Sequence, residues 1–490
     1  MKRFFSAALL ALAGLVVVLL VRALILPSRQ VAATPAPPLT LDADALAERL
    51  AASLRFQTVS HQDPAQFSRA EFDGFHRWLA ETYPRMHAQL GLEQVSEFSL
   101  LYTWKGRDPS LPPLLLMAHQ DVVPVDTPER WAQPPFEGRI ADGFVWGRGA
   151  IDDKSALLSI SEAVELLLGR GFQPERTVLL AFGHDEEVGG PNGAVKIAEL
   201  LAARGVHAQF GVDEGMAILE PGTVPGLSTA VAMIGIAEKG SVTLELVASA
   251  EGGHSSTPPR QSAAGVLAAA IQTVEANPMP GGIGGVTGAS FEQLAPEMPL
   301  WARVVFANLW LFGKPLDWLL SGNPAVNALL RTTTAVTMLS GSPKENVLPS
   351  QAIAGVNFRI LPGDTREIVR DRVRGMLKDP RVEVRFRSEG RDPSAVSPTD
   401  TPSFELLQRT IREVFPGTIV APALVLGGTD ARSYGAVTKE LYRFEPFHFD
   451  ASDLKRPHGI DERLSVSNYA EGVRFQVRLI ENAAGSAPAQ

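Results

Sequence analysis

The chain has 490 residues, 45% hydrophobic and 20% charged. Those are globular proportions in a length too great for one ordinary core, which excludes a disordered chain and predicts two or more domains. A formal net charge of −9, with no long basic run outside the extreme N-terminus, argues against a nucleic-acid surface, and the absence of cysteine excludes disulfides, thiol catalysis and Cys-ligated zinc.

Met1-Lys2-Arg3 precedes an uncharged apolar run from Phe4 to Val21, extended past Arg22 by Ala23-Leu24-Ile25-Leu26. A signal h-region needs about 7–15 apolar residues and a membrane span about 20. The length predicts an uncleaved membrane anchor over 1–26. Its positive flank faces the cytoplasm, and the body lies outside, periplasmic or extracellular. Ala32-Ala33 and Ala36 leave secretion after signal cleavage as the alternative. Residues 27–40, rich in Pro, Ala and Thr, read as a linker.

Apolar residues recur at helical spacing over 41–56 and 72–83. Leu114-Leu115-Leu116-Met117-Ala118 reads as a buried strand with His119 just past its carboxyl end. The pattern repeats where 177–182 leads into Gly183-His184-Asp185-Glu186-Glu187, and where 208–212 leads into Asp213-Glu214-Gly215. Helical runs over 155–168 and 194–204 separate these strands, so an α/β sheet is predicted, with ligands beyond the carboxyl ends of its strands.

After Glu238-Lys239-Gly240 the pattern changes. A strand over 241–248, a helix over 263–276, strands over 332–339 and 352–361, a helix over 365–377 and a strand over 382–387 give the order β-α-β-β-α-β of a separate α+β domain. Within it, 279–330 carries Trp301, Trp310, Phe312 and Trp318, either as an exposed apolar flap or packed on that domain's own core. The α/β pattern resumes near Pro402 and runs through Leu424-Val425-Leu426-Gly427-Gly428-Thr429-Asp430 to His458 and a final helix; 483–490 read as a frayed tail.

Gly147-Arg148-Gly149-Ala150-Ile151-Asp152-Asp153-Lys154 puts two carboxylates at a helix start, where a carboxylate can cap the helix or bridge two cations. The spacing His119-x-Asp121 suits a ligating imidazole whose other N–H meets an acceptor that fixes the tautomer. In Glu186-Glu187, one acid can ligate metal while its neighbour takes a proton from water. No Gly-x-Ser-x-Gly elbow exists, which disposes of a serine hydrolase of that kind.

These motifs, with Gly252-Gly253-His254-Ser255-Ser256 and Pro457-His458-Gly459, resemble the di-zinc metallopeptidase family of aminoacylase, carnosine dipeptidase and carboxypeptidase S. Phe182-Gly183-His184-Asp185-Glu186-Glu187 and Asn308-Leu309-Trp310-Leu311-Phe312-Gly313 resemble the branch of carboxypeptidase S and the N-fatty-acyl-amino-acid synthase/hydrolase. The resemblance implies an α/β catalytic domain over 41–238 and 391–482, with a central mixed sheet flanked by helices. A smaller split-βαβ, ferredoxin-like lid is inserted over 239–390. It implies two Zn2+ per chain, with Asp152 bridging. His119 and one acid of Asp213-Glu214 complete one site, and Glu187 and His458 the other. Glu186 would be the general base, Asp121 the residue orienting His119, and His254 the stabiliser of the oxyanion. Asn346, Arg359, Gly428 and Thr429 would hold the substrate's carboxylate end. In dimeric relatives the histidine matching His254 comes from the partner subunit, so a homodimer is a further expectation. The implied activity is hydrolysis, or in reverse formation, of N-acyl amino acids with long acyl chains. The alternatives are a carboxypeptidase or dipeptidase on short peptides, and a catalytically dead membrane-anchored binding protein.

Overall fold

The structure, a computed structural model, describes residues 2–485. Lys2–Leu24 is one helix whose large apolar side chains are mostly exposed, with Leu19 and Ala23 covered near its C-terminal end. The 27–40 segment that reads as a linker has no regular structure, yet it is tied down along the body. Gln30 Nε2 donates to Val420 O at 2.9 Å and its Oε1 accepts from Val420 N at 2.8 Å; Ala36 N donates to Glu413 O at 2.8 Å, and Arg474 Nε donates to Leu39 O at 3.1 Å. Prolines keep this stretch extended, so its backbone groups reach partners outside itself.

The large sheet has ten strands. Leu114–His119 pairs in parallel with both Val178–Gly183 and Phe210–Asp213, and Phe210–Asp213 pairs in parallel with Leu441–Arg443. Antiparallel pairings at Ser99–Trp104 and at Val231–Glu238 make the sheet mixed. Every residue of the three strands 114–119, 178–183 and 210–213 is buried, as in a sheet covered on both faces. Alternate residues serve the two faces. Leu114, Leu116, Val178 and Leu180 pack with the helices Lys154–Gly169 and Val466–Ala484, whereas Leu115, Met117, Leu179 and Ala181 pack with Ala194–Ala203. The hairpin Gly91–Val95 and Ser99–Trp104 lies outside the predicted elements. So does the three-stranded sheet of Arg139–Ala141, Phe144–Trp146 and Arg463–Ser465.

The predicted β-α-β-β-α-β unit forms a second sheet in the order Thr333–Ser340, Gln351–Ile360, Gly240–Ser249, Val382–Phe386, antiparallel throughout. The helices Ala263–Ala276 and Arg366–Met376 cover it with a core of its own, in which Leu244, Leu246, Val356 and Phe358 meet Val266 and Val369.

The 279–330 segment follows neither reading along its whole length. Met279 joins the small domain's core, but Leu294, Met298 and Ala302 pack with Val231, Ile419 and Ala421, so its base is fastened to the large sheet, a partner that neither reading named. Leu309–Leu320 has no buried residue. At the other end of the chain, Val466–Ala484 keeps Ala483 and Ala484 buried, so those two residues are not frayed; 486–490 lie outside the described residues.

Candidate metal centre and active site

Because the strands 114–119, 178–183, 210–213 and 441–443 run parallel, their carboxyl ends meet at one edge of the sheet. His119 closes the first, Glu186 and Glu187 follow the second on a 3-10 turn, Glu214 follows the third and Glu445 the fourth. The 147–154 loop supplies Asp152 from one side and the 457–459 loop supplies His458 from the other. Asp153 stands at the N-cap position of the Lys154–Gly169 helix but makes no capping bond; its Oδ2 accepts from His119 N at 3.0 Å. Lys154 turns away, and its Nζ donates to Ser53 O and Phe56 O.

Two donor triads share Asp152: His119, Asp152 and Glu214, and Asp152, Glu187 and His458. His119 Nε2 lies 3.0 Å from Asp152 Oδ1 and 3.7 Å from Glu214 Oε1. His458 Nε2 lies 3.0 Å from Asp152 Oδ2 and 3.1 Å from Glu187 Oε2. Ligand atoms at about 2.0–2.2 Å from one tetrahedral ion stand roughly 3.3–3.6 Å from each other, so both triads are spaced to close on a cation. Of the acid pair Asp213-Glu214, the structure brings Glu214 to the cluster. Asp213 faces elsewhere and accepts from Ala431 N at 2.6 Å.

The electrostatics agree with a cation site. Burial, and then the Asp152 charge, push Glu214 and Glu187 up. Burial and the Asp152 charge also raise Glu445, to about 8. Burial pushes Asp152 up as well, but hydrogen bonds from His119 and His458 outweigh it and hold its carboxyl well below the usual range. Glu187 Oε1 is buried with no hydrogen-bond partner. Crowded, dehydrated carboxylates repel one another, and a divalent cation relieves that cost. The donor set, two imidazoles and three carboxylates with no thiolate, suits zinc.

A surrounding layer fixes these groups. His119 Nδ1 is 3.0 Å from the Asp121 backbone oxygen and 3.4 Å from its carboxylate, leaving Nε2 for the cluster. The Asp121 carboxylate itself accepts from Glu186 N and Glu187 N, both at 3.1 Å. Sequence reasoning missed Glu462, which is fully buried. Its Oε1 accepts from the backbone N–H groups of Gly149, Ile151 and Asp152 at 3.1, 2.8 and 3.0 Å, and its Oε2 pairs with Arg148 at 2.5 Å. One side chain thus clamps the Asp152 loop to the segment that carries His458. Asp430 is also new. Its buried carboxyl packs against Gly183 and Gly190, where a Cβ would collide with it, and burial together with the Glu186 charge pushes it well up. Glu186 is in turn raised by burial and by Glu187, with the His119 charge opposing.

The cluster opens into a pocket of about 530 Å3. Met216, Leu219, Val326, Leu329, Leu424 and Phe449 give it apolar walls, and Asp152, Glu186, Glu214, Gly428, Thr429 and His458 line it. Thr429 N and Oγ1 both donate to Glu238, which Arg443 holds at 2.6 Å. His254, Asn346 and Arg359 are not among the lining residues. His254 and Asn346 stand on an exposed ribbon formed by Gly253–His254 and Val347–Leu348, where Ser255 N donates to Asn346 O, and Arg359 is exposed on Gln351–Ile360.

The sequence profile of peptidase family M20/M25/M40 matches residues 115–482. The chain is 43% identical over 446 residues to a probable carboxypeptidase S-like 2 of Dictyostelium discoideum, covering 90% of this chain and 86% of that one. It is 42% identical over 447 residues to the N-fatty-acyl-amino acid synthase/hydrolase PM20D1 of Mus musculus, covering 90% and 88%. Human carnosine dipeptidase 1 has the same fold, with a TM-score of 0.62 at 16% identity over 91% of this chain and 99% of that one. With a profile match over most of its length, and with metal-ligand geometry at the carboxyl edge of its sheet, the chain belongs to peptidase family M20/M25/M40.

Proposed function

We propose that this chain is a zinc-dependent amide hydrolase that cleaves N-acyl amino acids with long acyl chains and, in reverse, joins them. The observation that carries the reading is the pair of donor triads sharing Asp152 at the base of a mostly apolar pocket whose size suits a small-molecule ligand. The name of the mouse relative supplies the substrate class. His119, Asp152 and Glu214 would hold one zinc, and Asp152, Glu187 and His458 the other. When bound, such a pair acidifies an attacking water and offsets charge developing on the scissile carbonyl oxygen.

Glu186, half-buried where the cluster meets the pocket and raised above an ordinary glutamate, takes a proton from the water as its oxygen bonds to the carbonyl carbon. It passes that proton to the nitrogen as the C–N bond breaks, leaving a fatty acid and a free amino acid. Asp121 keeps His119 oriented and holds the backbone of Glu186 and Glu187 in place. Gly428 and Thr429 line the pocket where the substrate's carboxylate end would lie, and Arg359 and Asn346 would complete its binding, Asn346 from the ribbon that it shares with His254 and so from the same copy as His254. His254 stabilises the oxyanion, and we assign it to a second copy of the chain. Its exposed ribbon supports this. So does Thr333–Ser340, an edge strand with Met338 and Leu339 exposed, which is a surface a second copy can cover. The Lys2–Leu24 helix is read as an uncleaved anchor with the body on the outer side. Its candidate span Arg3–Leu24 has 22 residues and contains an 18-residue window of mean hydropathy 2.8.

The second reading, a carboxypeptidase on short peptides, rests on the name of the Dictyostelium relative. Turnover of an oleoyl-amino acid and of a blocked dipeptide by the same full-length, zinc-loaded sample separates the two. Faster cleavage of the oleoyl substrate, lost to a chelator, is expected. Faster cleavage of the dipeptide would replace the first reading with the second, and no cleavage of either would sink both.

A further inference from the structure

The helix Leu309–Leu320 is anomalous for a water-facing surface. Apart from Lys314 and Asp317, every one of its residues is apolar, glycine or proline, yet none is buried. With Leu300–Phe306 before it, it displays Trp301, Trp310 and Trp318 at 68%, 61% and 79% exposure, along with Leu300, Leu311 and Leu319. Scattered apolar residues on a surface need no explanation, but three indoles and their leucine neighbours on two consecutive helices form a patch that water alone does not account for. Asp317 is paired with Arg331 at 2.8 Å, which leaves Lys314, whose long stem can carry its charge to the edge of an apolar layer.

What covers this patch is indicated by its neighbour. Asn308 Nδ2 donates to Leu19 O at 3.1 Å, and Arg22 Nε donates to Ala307 O at 3.1 Å, so the patch is joined to the last turns of the Lys2–Leu24 helix. Arg29 also pairs with Glu292 at 3.1 Å. Leu19 is five positions before the helix end, about 8 Å along its axis at 1.5 Å per residue. A helix that crosses a bilayer therefore carries the patch to the depth of the outer interface, where indoles concentrate.

We propose that Leu300–Phe306 and Leu309–Leu320 form an interfacial docking element that lies in the outer face of the bilayer spanned by Lys2–Leu24, with Trp301, Trp310 and Trp318 among the lipids. The element would hold the body in a fixed orientation, which a single spanning helix cannot do. Its next helix, Pro324–Leu330, supplies Val326 and Leu329 to the wall of the active-site pocket, so the docked face and the pocket are contiguous in the chain. The inference takes the leaflet and depth of the element from the reading of Lys2–Leu24 as a span, while contact of the three indoles with lipid stands on the exposed patch alone, and both are independent of which bond the site cleaves.

The spanning helix contains no tryptophan; of the four tryptophans in the body outside the patch, Trp104, Trp131 and Trp146 are buried and Trp78 is half-buried against the core. In the full chain, reconstituted in phosphatidylcholine vesicles with and without bromine on the acyl chains, the part of the indole fluorescence that the triple tryptophan variant lacks therefore reports on the patch. The expected result is a loss of emission in brominated vesicles that disappears in the Trp301→Phe, Trp310→Phe, Trp318→Phe variant, with little quenching by aqueous iodide. Quenching by iodide and not by brominated lipid would place the patch in water and overturn the proposal. Protection from both quenchers would place it against protein, such as a second copy, and would overturn it equally. Intact mass of the same sample reads the anchor separately: loss of 1–26 would refute the span, while brominated-lipid quenching of such a shortened chain would still uphold the docking element.

Discussion

At the scale of single residues, the site divides between groups that meet the reaction and groups that hold them. Glu186 lies at the cluster but in neither donor triad, and its backbone is pinned by Asp121. Glu186→Gln should lower turnover by about 10²–10⁴-fold, the usual worth of a general base, while zinc content measured by mass spectrometry stays at the wild-type level. Retained turnover would remove Glu186 from the reaction. Glu462 belongs to the holding group. Truncating it strips three backbone N–H groups of their acceptor and leaves Arg148, only 3% exposed, without its counter-charge. Glu462→Ala should cost about 3–5 kcal/mol in urea unfolding and weaken zinc retention, whereas Glu462→Gln, which still offers an oxygen to the loop, should lose less of both. Equal effects of the two variants would show that the loop depends on the charge of Glu462 and not on its oxygen acceptor or its shape.

At the scale of elements, legibility followed how local the signal was. The strands 114–119, 178–183 and 210–213 are continuous apolar runs because both sheet faces are covered, so His119, Glu186, Glu187 and Glu214 could be placed at their ends from sequence alone. Glu462 and Asp430 carry no such mark. Each is an acid outside any metal-ligand spacing, with partners hundreds of residues away or across the sheet, and spacing says nothing about contacts of that range. The choice between Asp213 and Glu214 also needed coordinates, because adjacent residues at a strand end point to opposite sides. The ribbon bearing His254 was legible as a motif but not as a location. It lies outside the pocket, and a second copy is the source we assign. Glu186→Gln and His254→Ala should each be inactive alone, and after subunit exchange a mixture of equal amounts should recover roughly a quarter of wild-type activity, since half the dimers then hold one intact site of two. A mixture that stays inactive would mean that His254 serves its own chain.

At the scale of the whole molecule, the metal centre joins parts of the chain that are distant in sequence. Asp152 comes from the loop ahead of the Lys154–Gly169 helix, Glu187 and Glu214 from the central strands, and His458 from the loop ahead of the final helix, so a cation shared by them ties the two separated stretches of the large domain together. Without it, the buried acids meet at the sheet edge with only two imidazoles to offset them. Ligand binding to the folded state alone adds about 2.7 kcal/mol per site when free metal exceeds its Kd a hundredfold. Dialysis against a chelator should therefore abolish turnover and lower the melting temperature together, and returning zinc should restore both, with the gain in melting temperature rising with free zinc. Removing one donor tests the sharing. Asp152→Asn should reduce this zinc-dependent rise more than His458→Gln, because Asp152 contributes to both triads and His458 to one. An Asp152→Asn protein that melts and responds to zinc as the wild type does would mean that the two triads do not share a bridging ligand.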